Sequence, residues 1–372
     1  MFVNIFVGIL LAFALLGAVD KMLAGRLGVA EEFDKGLASM GDLCLAMAGI
    51  YCLAVTASAW FVQTAGADSS AIVDPAVLVG MFLAADMGGW AAAKELASDP
   101  GMGAFAGVLM ASTLGALLSF TIPVSLGALK RYEHMGFMQG VVWGIVALPV
   151  ALLAGALVLG LDVGTFVRGI VPVLALCLLL VAGLRFFPKV CIHALVLFGG
   201  AVRIAGILAS CAVALGLFVP SLALVPADLV EEVLVIVFKI AATMCGSMVA
   251  SRLLLRWWGD GLTKLGAKLG VNEYAILGLT ACAVSNVAML PLYSRMDVRG
   301  KMLNASMCVS GAFVLGGQMA FISSVADSRS VAAFFVCKVL GGVLAGALAL
   351  RFTKNAAPVL TENQGEAIIH TK

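Results

Sequence analysis

Residues 136–160 read GFMQGVVWGIVALPVALLAGALVLG, a stretch without a single charged side chain. About 20 consecutive apolar residues are enough for a helix to cross the hydrocarbon core of a bilayer. Lipid offers the backbone no hydrogen bonds, so such a segment must satisfy its own N–H and C=O groups as a helix. This stretch therefore predicts a transmembrane helix, and the number of similar stretches decides the fold.

Similar stretches recur along the chain and are separated by short loops, which leaves no room for a soluble domain. We predict an all-α polytopic membrane protein in which residues 1–357 form a single transmembrane domain and residues 358–372 a short polar cytoplasmic tail. About eleven apolar segments are expected, at residues 2–19, 36–60, 75–93, 102–124, 136–160, 164–184, 190–219, 229–255, 274–293, 302–323 and 331–350.

The composition agrees with a chain whose solvent is largely lipid. Hydrophobic residues make up 62% of the 372 positions and charged residues 12%, whereas soluble proteins carry roughly a quarter charged residues. The net charge of +2 provides no basic surface for nucleic acid. All nine cysteines lie in apolar stretches and only three histidines are present, so we interpret the cysteines as small apolar packing residues rather than metal ligands.

The distribution of basic residues suggests that two segments do not cross the membrane. If every segment crosses, Lys130 and Arg131 fall on the opposite side from Lys21 and Arg26, against the positive-inside rule. The rule holds if segments 75–93 and 274–293 are re-entrant or broken. Possible breaks are Gly88-Gly89 after Asp86, and Ser285-Asn286 with Pro291. We predict about nine crossings of the bacterial inner membrane, with the N-terminus outside and the C-terminus cytoplasmic; a straight eleven-span bundle is the alternative.

A short internal sequence similarity suggests that the chain consists of two related halves. Residues 35–40, KGLASM, resemble residues 239–244, KIAATM, and each stretch precedes a predicted break by about fifty residues. Half-repeats at roughly 30–160 and 229–355 would then have opposite orientations. Secondary transporters are built in this way and bind their substrates at paired broken helices.

Asp86 is the clearest candidate for a site residue because it lies within an apolar segment. A carboxylate at the centre of a span costs about 2.5–3.5 kcal/mol, so it usually faces a cavity or a partner. Asp86 can bind a cation, and Trp90, one helical turn on, can offer its π face to an ammonium group. The alternative is a structural ion pair between Asp86 and Arg203.

Other polar residues inside the apolar segments are weaker candidates. Ser285 and Asn286 suit a substrate hydroxyl, but they also suit helix capping. Ser310 and Gln318 are expected on one face of segment 302–323, where they could bind a solute or join helices. Asp42 is either interfacial or part of the site. No catalytic or nucleotide-binding motif is present, so we expect neither an enzyme nor a cofactor.

Several motifs resemble the ethanolamine utilization permease family. They are residues 31–36 (EEFDKG), 85–90 (ADMGGW) with 93–96 (AKEL), and 296–301 (MDVRGK), and the resemblance covers nearly the whole chain. It implies an inner-membrane carrier for ethanolamine that matters most when the amine is protonated. Asp86, Trp90 and Asn286 are the residue types that an ammonium and a hydroxyl require.

The chain also departs from the family pattern. Ser285-Asn286 stands where an Asn-Asn pair is expected, Gly317-Gln318 where an acid–histidine pair is expected, and Asp42 where a small apolar residue is expected. These differences leave a different amine open as the substrate.

Three functions remain open at this point. The leading one is transport of a protonated amino alcohol by facilitated diffusion or coupled to H⁺ or Na⁺. The others are an ion-coupled carrier for another small amine or organic solute, and a membrane subunit of an ion-translocating complex. A homo-oligomer is compatible with each of them.

Overall fold

The computed structural model describes residues 2–44, 49–52, 55–56 and 73–353. Most of these residues are helical, and none of them forms a β-strand. The helices are α1 (Phe2–Met22), α2 (Ala30–Leu43), α3 (Pro75–Phe82), α4 (Gly89–Leu96), α5 (Pro100–Ala128), α6 (His134–Leu159), α7 (Val163–Phe186), α8 (Pro188–Phe218), α9 (Ala227–Leu269), α10 (Glu273–Val284), α11 (Asn286–Tyr293), α12 (Val298–Ser310), α13 (Gly317–Val325) and α14 (Ser328–Phe352).

Six of the described helices are long and apolar enough to cross a membrane: α5, α6 with the preceding turn, α7, α8, the first 28 residues of α9, and α14. The expectation of an all-helical membrane chain is therefore confirmed. The expected eleven segments are not confirmed, because only these six described helices qualify as spans. The shorter helices at 75–93 and 274–293 agree with the two predicted breaks, whereas those at 302–323 were not predicted. Predicted segment 36–60 and the predicted tail at 358–372 lie partly or wholly outside the described residues.

Helix α5 forms the centre of the bundle, and nearly all residues of its most apolar stretch are buried. It is π-helical from Phe105 to Gly115 and from Leu117 to Thr121. In a π-helix the N–H groups bond five residues back rather than four, which rotates side chains and carbonyls relative to an α-helix. Such turns are frequent at functional sites, and no feature of the amino-acid pattern predicted this one.

The first predicted break is present between α3 and α4. A 3₁₀ turn, Ala85–Met87, follows Leu83 and Ala84, and Gly88 adopts a left-handed φ of 87° that a side chain would disfavour. Helix α5 supports this break, since the backbone N–H of Ala84 donates to Ser119 Oγ at 3.1 Å. Gly115 must lack a side chain here, because a Cβ would lie 2.2 Å from the carbonyl oxygen of Leu83.

The second predicted break is also present, at the extended residue Ser285 between α10 and α11. A third break, between Ser310 and Gly317, was not predicted. It pairs with the second, because the N–H of Phe313 donates to Cys282 O at 3.1 Å and that of Leu315 to Ala283 O at 2.8 Å. The N–H groups of the third break thus satisfy carbonyls in the last turn of α10, which have no acceptor role within their own helix.

This third break corrects one prediction. Ser310 and Gln318 were expected on one face of a continuous helix, but Ser310 ends α12 and Gln318 lies in the first turn of α13. Phe313 between them has a φ of 62°, a conformation that is unusual for a bulky residue and marks a strained turn.

Asp20, at the end of α1, organises the loop to α2. The carboxylate is buried and accepts hydrogen bonds from the N–H groups of Leu27 (2.6 Å), Val29 (2.8 Å) and Ala30 (2.9 Å). Burial opposes ionisation, but these backbone donors outweigh it and lower the pKa of Asp20 below its ordinary value. The ionised form therefore stabilises the folded loop.

We expect Asp20→Asn to lower the melting temperature of the detergent-purified protein at neutral pH, because an amide oxygen cannot replace two carboxylate oxygens as acceptors. A group whose pKa is lowered by folding contributes stability above its ordinary pKa and loses it as the pH falls. The difference between the two proteins should therefore shrink in acid. Asp34→Asn is the matched control, since Asp34 forms an exposed ion pair with Lys21 that should contribute little. A difference independent of pH would contradict this role.

Candidate functional site

A central cavity of 680 Å³ lies where the helix breaks meet α2, α5, α8 and α9. It is lined by Lys35, Ala38, Ala84, Asp86, Met87, Phe120, Val124, Arg203, Met244, Met248, Ser285, Val287, Ala288, Phe313, Gly317 and Gln318. All three breaks contribute to this wall. The cavity therefore exists because the chain is interrupted inside the bundle.

Asp86 lines this cavity from the 3₁₀ turn that interrupts α3 and α4. Arg203 lines it from the middle of α8. Within the described part of the chain, no ion pair joins the two residues. The arrangement thus leaves the Asp86 carboxylate beside open space rather than closed against the guanidinium.

The other charges of the cavity are arranged differently. Lys35 is paired with Glu31 and Glu32, at 2.9 and 3.0 Å from the nearest carboxylate oxygens. Asp86 is the sole carboxylate among the lining residues of this cavity. Residues in the first turns of α11 and α13 also line it, and helix N-termini carry partial positive charge. The cavity wall therefore contains one carboxylate, Asp86. Its positive groups are Lys35, Arg203 and the two helix N-termini.

Two polar candidates from the sequence join Asp86 at the cavity. Ser285 contributes its hydroxyl from the second break, and Gln318 contributes its amide from the first turn of α13. The aromatic rings of Phe120 and Phe313 also line the wall and contact each other edge-to-face, with centroids 6.0 Å apart. These groups together provide a carboxylate, hydrogen-bonding groups and apolar rings.

The remaining candidates do not line this cavity. Trp90 packs edge-to-face against Phe321, and Lys94 Nζ lies 5.1 Å from the centre of its ring. Asn286 is fully buried. Its side-chain nitrogen Nδ2 donates to Thr121 Oγ1 at 2.8 Å, while its side-chain oxygen Oδ1 has no partner. Ser310 is likewise buried with an unpartnered hydroxyl. The side chain of Asp42 lies outside the described residues.

Lys338 is a residue that the sequence reasoning missed. It lies in the middle of α14 and is 1% exposed, with its ammonium bonded to the oxygens of Ser112 (2.5 Å), Ala312 (2.9 Å) and Gln318 (2.8 Å). A single charge in the middle of an otherwise apolar span is the same signal that pointed to Asp86. Lys338 does not line the central cavity, but Gln318, to which it is hydrogen-bonded, does.

A second cavity of 330 Å³ adjoins the first. It lies against α8, and the two share Met87, Phe120, Val124 and Arg203. Several apolar helices that could cross a membrane, arranged around a cavity with a carboxylate in its wall, are features of a multi-pass membrane protein.

Comparison with known proteins assigns the chain to a family. It belongs to the family described as ethanolamine utilisation protein, EutH, whose model it matches over residues 2–352. It is similar to the probable ethanolamine permease EutH of Listeria monocytogenes, with 34% identity over 93% of both chains. It shares 30% identity with the protein of that name from Salmonella typhimurium, over 96% of this chain and 98% of the relative.

An uncharacterized Bacillus subtilis protein, YxeR, is 33% identical over 93% of both chains. No solved structure matches. The chain is thus a membrane transporter of a permease family and not an enzyme, and the family resemblance inferred from its motifs is confirmed.

Proposed function

We propose that this protein carries ethanolamine, as the ammonium cation, across the bacterial inner membrane through the central cavity. The observation that carries the proposal is the Asp86 carboxylate, which lines a 680 Å³ space without an ion pair to Arg203. A charge within a membrane bundle is costly unless it is compensated, and a cationic substrate compensates it. The names of the relatives support ethanolamine as that substrate.

Each part of ethanolamine has a chemically suitable group nearby. The ammonium is placed against Asp86, where a charge-assisted hydrogen bond is stronger than a neutral one. The faces of Phe120 and Phe313 can add cation–π attraction, the role first expected of Trp90. Ser285 and Gln318 can bond the hydroxyl. We assign Trp90, Asn286 and Ser310 to the layer that packs behind the cavity.

The membrane arrangement is part of the proposal. We propose two half-repeats, 30–160 and 229–355, of opposite orientation, and the presence of one break in each, after Leu83 and at Ser285, supports this arrangement. This is the plan in which broken helices form a midplane site. The N-terminus is then outside and the C-terminus cytoplasmic. A reporter that is active only in the cytoplasm, fused after the last residue, should be active.

The direct test is flux into liposomes that contain the purified protein. Labelled ethanolamine should enter in a saturable manner at acidic pH, where the neutral form that crosses lipid unaided is scarce. Protein-free liposomes are measured in parallel to subtract that leak. Equal entry with and without protein would refute the proposal, and a membrane subunit of a larger ion-translocating complex would give this result.

A second candidate is a small zwitterion, and Arg203 favours it. This arginine lines both cavities and has no carboxylate partner within the described residues, so it could bind a substrate carboxylate opposite Asp86. Competition with excess unlabelled glycine, β-alanine and propanolamine separates the two. Inhibition by the amino alcohol alone supports ethanolamine, whereas stronger inhibition by the amino acids supports a zwitterion.

A further inference from the structure

The three oxygens around Lys338 form a cation site that the protein fills with its own side chain. One oxygen belongs to the π-helical part of α5 (Ser112 O), one to the third break (Ala312 O) and one to the first turn of α13 (Gln318 Oε1). Their distances to Nζ are 2.5, 2.9 and 2.8 Å. Irregular helix turns free such carbonyls, which is why cations are found at them.

The number of acceptors matches the protonated amine. An ammonium has three N–H donors and no acceptor, so three oxygens satisfy it completely. A neutral amine has two donors and a lone pair, and the lone pair would face one of the oxygens. The hydrogen bonds thus favour the charged form, while burial in the bundle disfavours it. Because these two effects oppose each other, a change in nearby charge can decide whether Lys338 is protonated.

Asp86 is the sole carboxylate in the wall of the cavity that Gln318, a partner of Lys338, also lines. The other titratable groups that act on Lys338 are the thiols of Cys282 and Cys337. Among the helices packed against α14, α5 and α13 carry no ionisable side chain. The ionisable residues of the others are Asp20 and Lys21 at the end of α1, His134 at the start of α6, and Arg299, Lys301 and Cys308 on α12. Among the helices that the structure describes against α14, none therefore brings a second carboxylate to the middle of this span.

We propose that Lys338 is the group through which the protein couples amine binding to proton release. The inference rests on the proposed function. When the substrate ammonium binds beside Asp86, two cations share one carboxylate, and Lys338 gives up its proton. One N–H bond of the Lys338 ammonium breaks, its electron pair stays on Nζ, and the proton leaves to water through the cavity that Gln318 lines. The coupled ion is thus H⁺, carried in exchange for the amine.

This exchange has a measurable consequence for transport. One cation enters the site as another leaves it, so a cycle moves no net charge. Uptake by the wild-type protein should be insensitive to a membrane potential imposed with a potassium gradient and valinomycin. If Lys338 cannot change its charge, uptake of the ammonium becomes electrogenic and should increase with a potential that is negative inside.

The decisive measurement counts the protons released when ethanolamine binds to the purified full-length protein. Titration calorimetry at neutral pH, in two buffers of different ionisation enthalpy, gives this number while ethanolamine remains fully protonated in solution. We expect about one proton per bound ethanolamine. Binding without proton release would overturn the inference and leave the proposed function intact, whereas the absence of binding would overturn both.

Two variants identify the source of the proton. Lys338→Gln keeps a hydrogen-bond donor for the three oxygens but cannot titrate, and Lys338→Arg keeps a cation that does not lose its proton. Both should bind ethanolamine with no proton release. Release that persists in either variant would show that the proton comes from the ligand or another group and would refute the role of Lys338. If neither variant folds, the wild-type count alone still refutes the inference when ethanolamine binds without proton release.

Discussion

Replacing Asp86 with asparagine is expected to weaken ethanolamine binding and uptake by about ten- to a hundredfold. The change keeps the shape of the side chain and removes the negative charge that the central cavity offers to an ammonium. A hydrogen bond to a charged group contributes about 1.5–3 kcal/mol, and about 1.4 kcal/mol corresponds to a factor of ten. The measurement is the concentration dependence of labelled uptake into liposomes at acidic pH.

Asp162→Asn is the matched control for this prediction. Asp162 caps α7 by accepting from the N–H of Thr165 at 3.0 Å, far along the chain from the cavity-lining residues. Asparagine caps helices about as well as aspartate, so the same chemical change should leave uptake unaltered. If the Asp86 variant transports like wild type while remaining folded, the carboxylate has no part in recognition and the amine mechanism is wrong.

Gly316→Ala is expected to prevent the protein from reaching its folded state, or to lower its melting temperature severely. A Cβ at residue 316 would lie 1.8 Å from the carbonyl oxygen of Val284, at the point where the second and third breaks pair. Neither backbone can retreat without losing the hydrogen bond from Leu315 to Ala283. Overpacking in a tight core costs about 1–3 kcal/mol and sometimes more. The readouts are the yield of monodisperse protein and its thermal unfolding.

The neighbouring glycine provides the control. A Cβ at Gly317 would meet Met244 Sδ at 3.6 Å, which is ordinary van der Waals contact. Gly317→Ala should therefore be tolerated in the same stability assay. The two substitutions make the same chemical change at adjacent positions, so only the local packing distinguishes them. Equal tolerance of the two variants would mean that the breaks do not approach as closely as the structure shows.

The sequence predicted the first two breaks because each combines an obvious helix breaker with a polar residue. Gly88-Gly89 follows Asp86, and Ser285-Asn286 precedes Pro291. The third break lacked such a signal. Gly311, Gly316 and Gly317 read equally well as small residues that allow helices to pack closely in lipid. Only the contact with Ala283 and Cys282, far away in sequence, shows why the chain is interrupted there.

Site residues, like the breaks, were predictable only where the local sequence carried a clear signal. Asp86 was identifiable because a carboxylate cannot easily reach the membrane surface, whereas a lysine such as Lys338 is expected to extend its chain towards the headgroups. Trp90 was expected beside Asp86 on the assumption of a regular helix. The 3₁₀ turn and the left-handed Gly88 between them change the direction of the chain, and Trp90 packs against Phe321 instead. Local spacing could not predict that change.

The pairing of the second and third breaks constrains how access to the cavity can alternate. The N–H groups of Phe313 and Leu315 donate to the carbonyls of Cys282 and Ala283 in the last turn of α10, which holds the third break against the end of that helix. If the protein works as the carrier we propose, we expect its movement at the border between this fixed region and the interruption that carries Asp86. The substrate cation would be held between a fixed wall and a moving one.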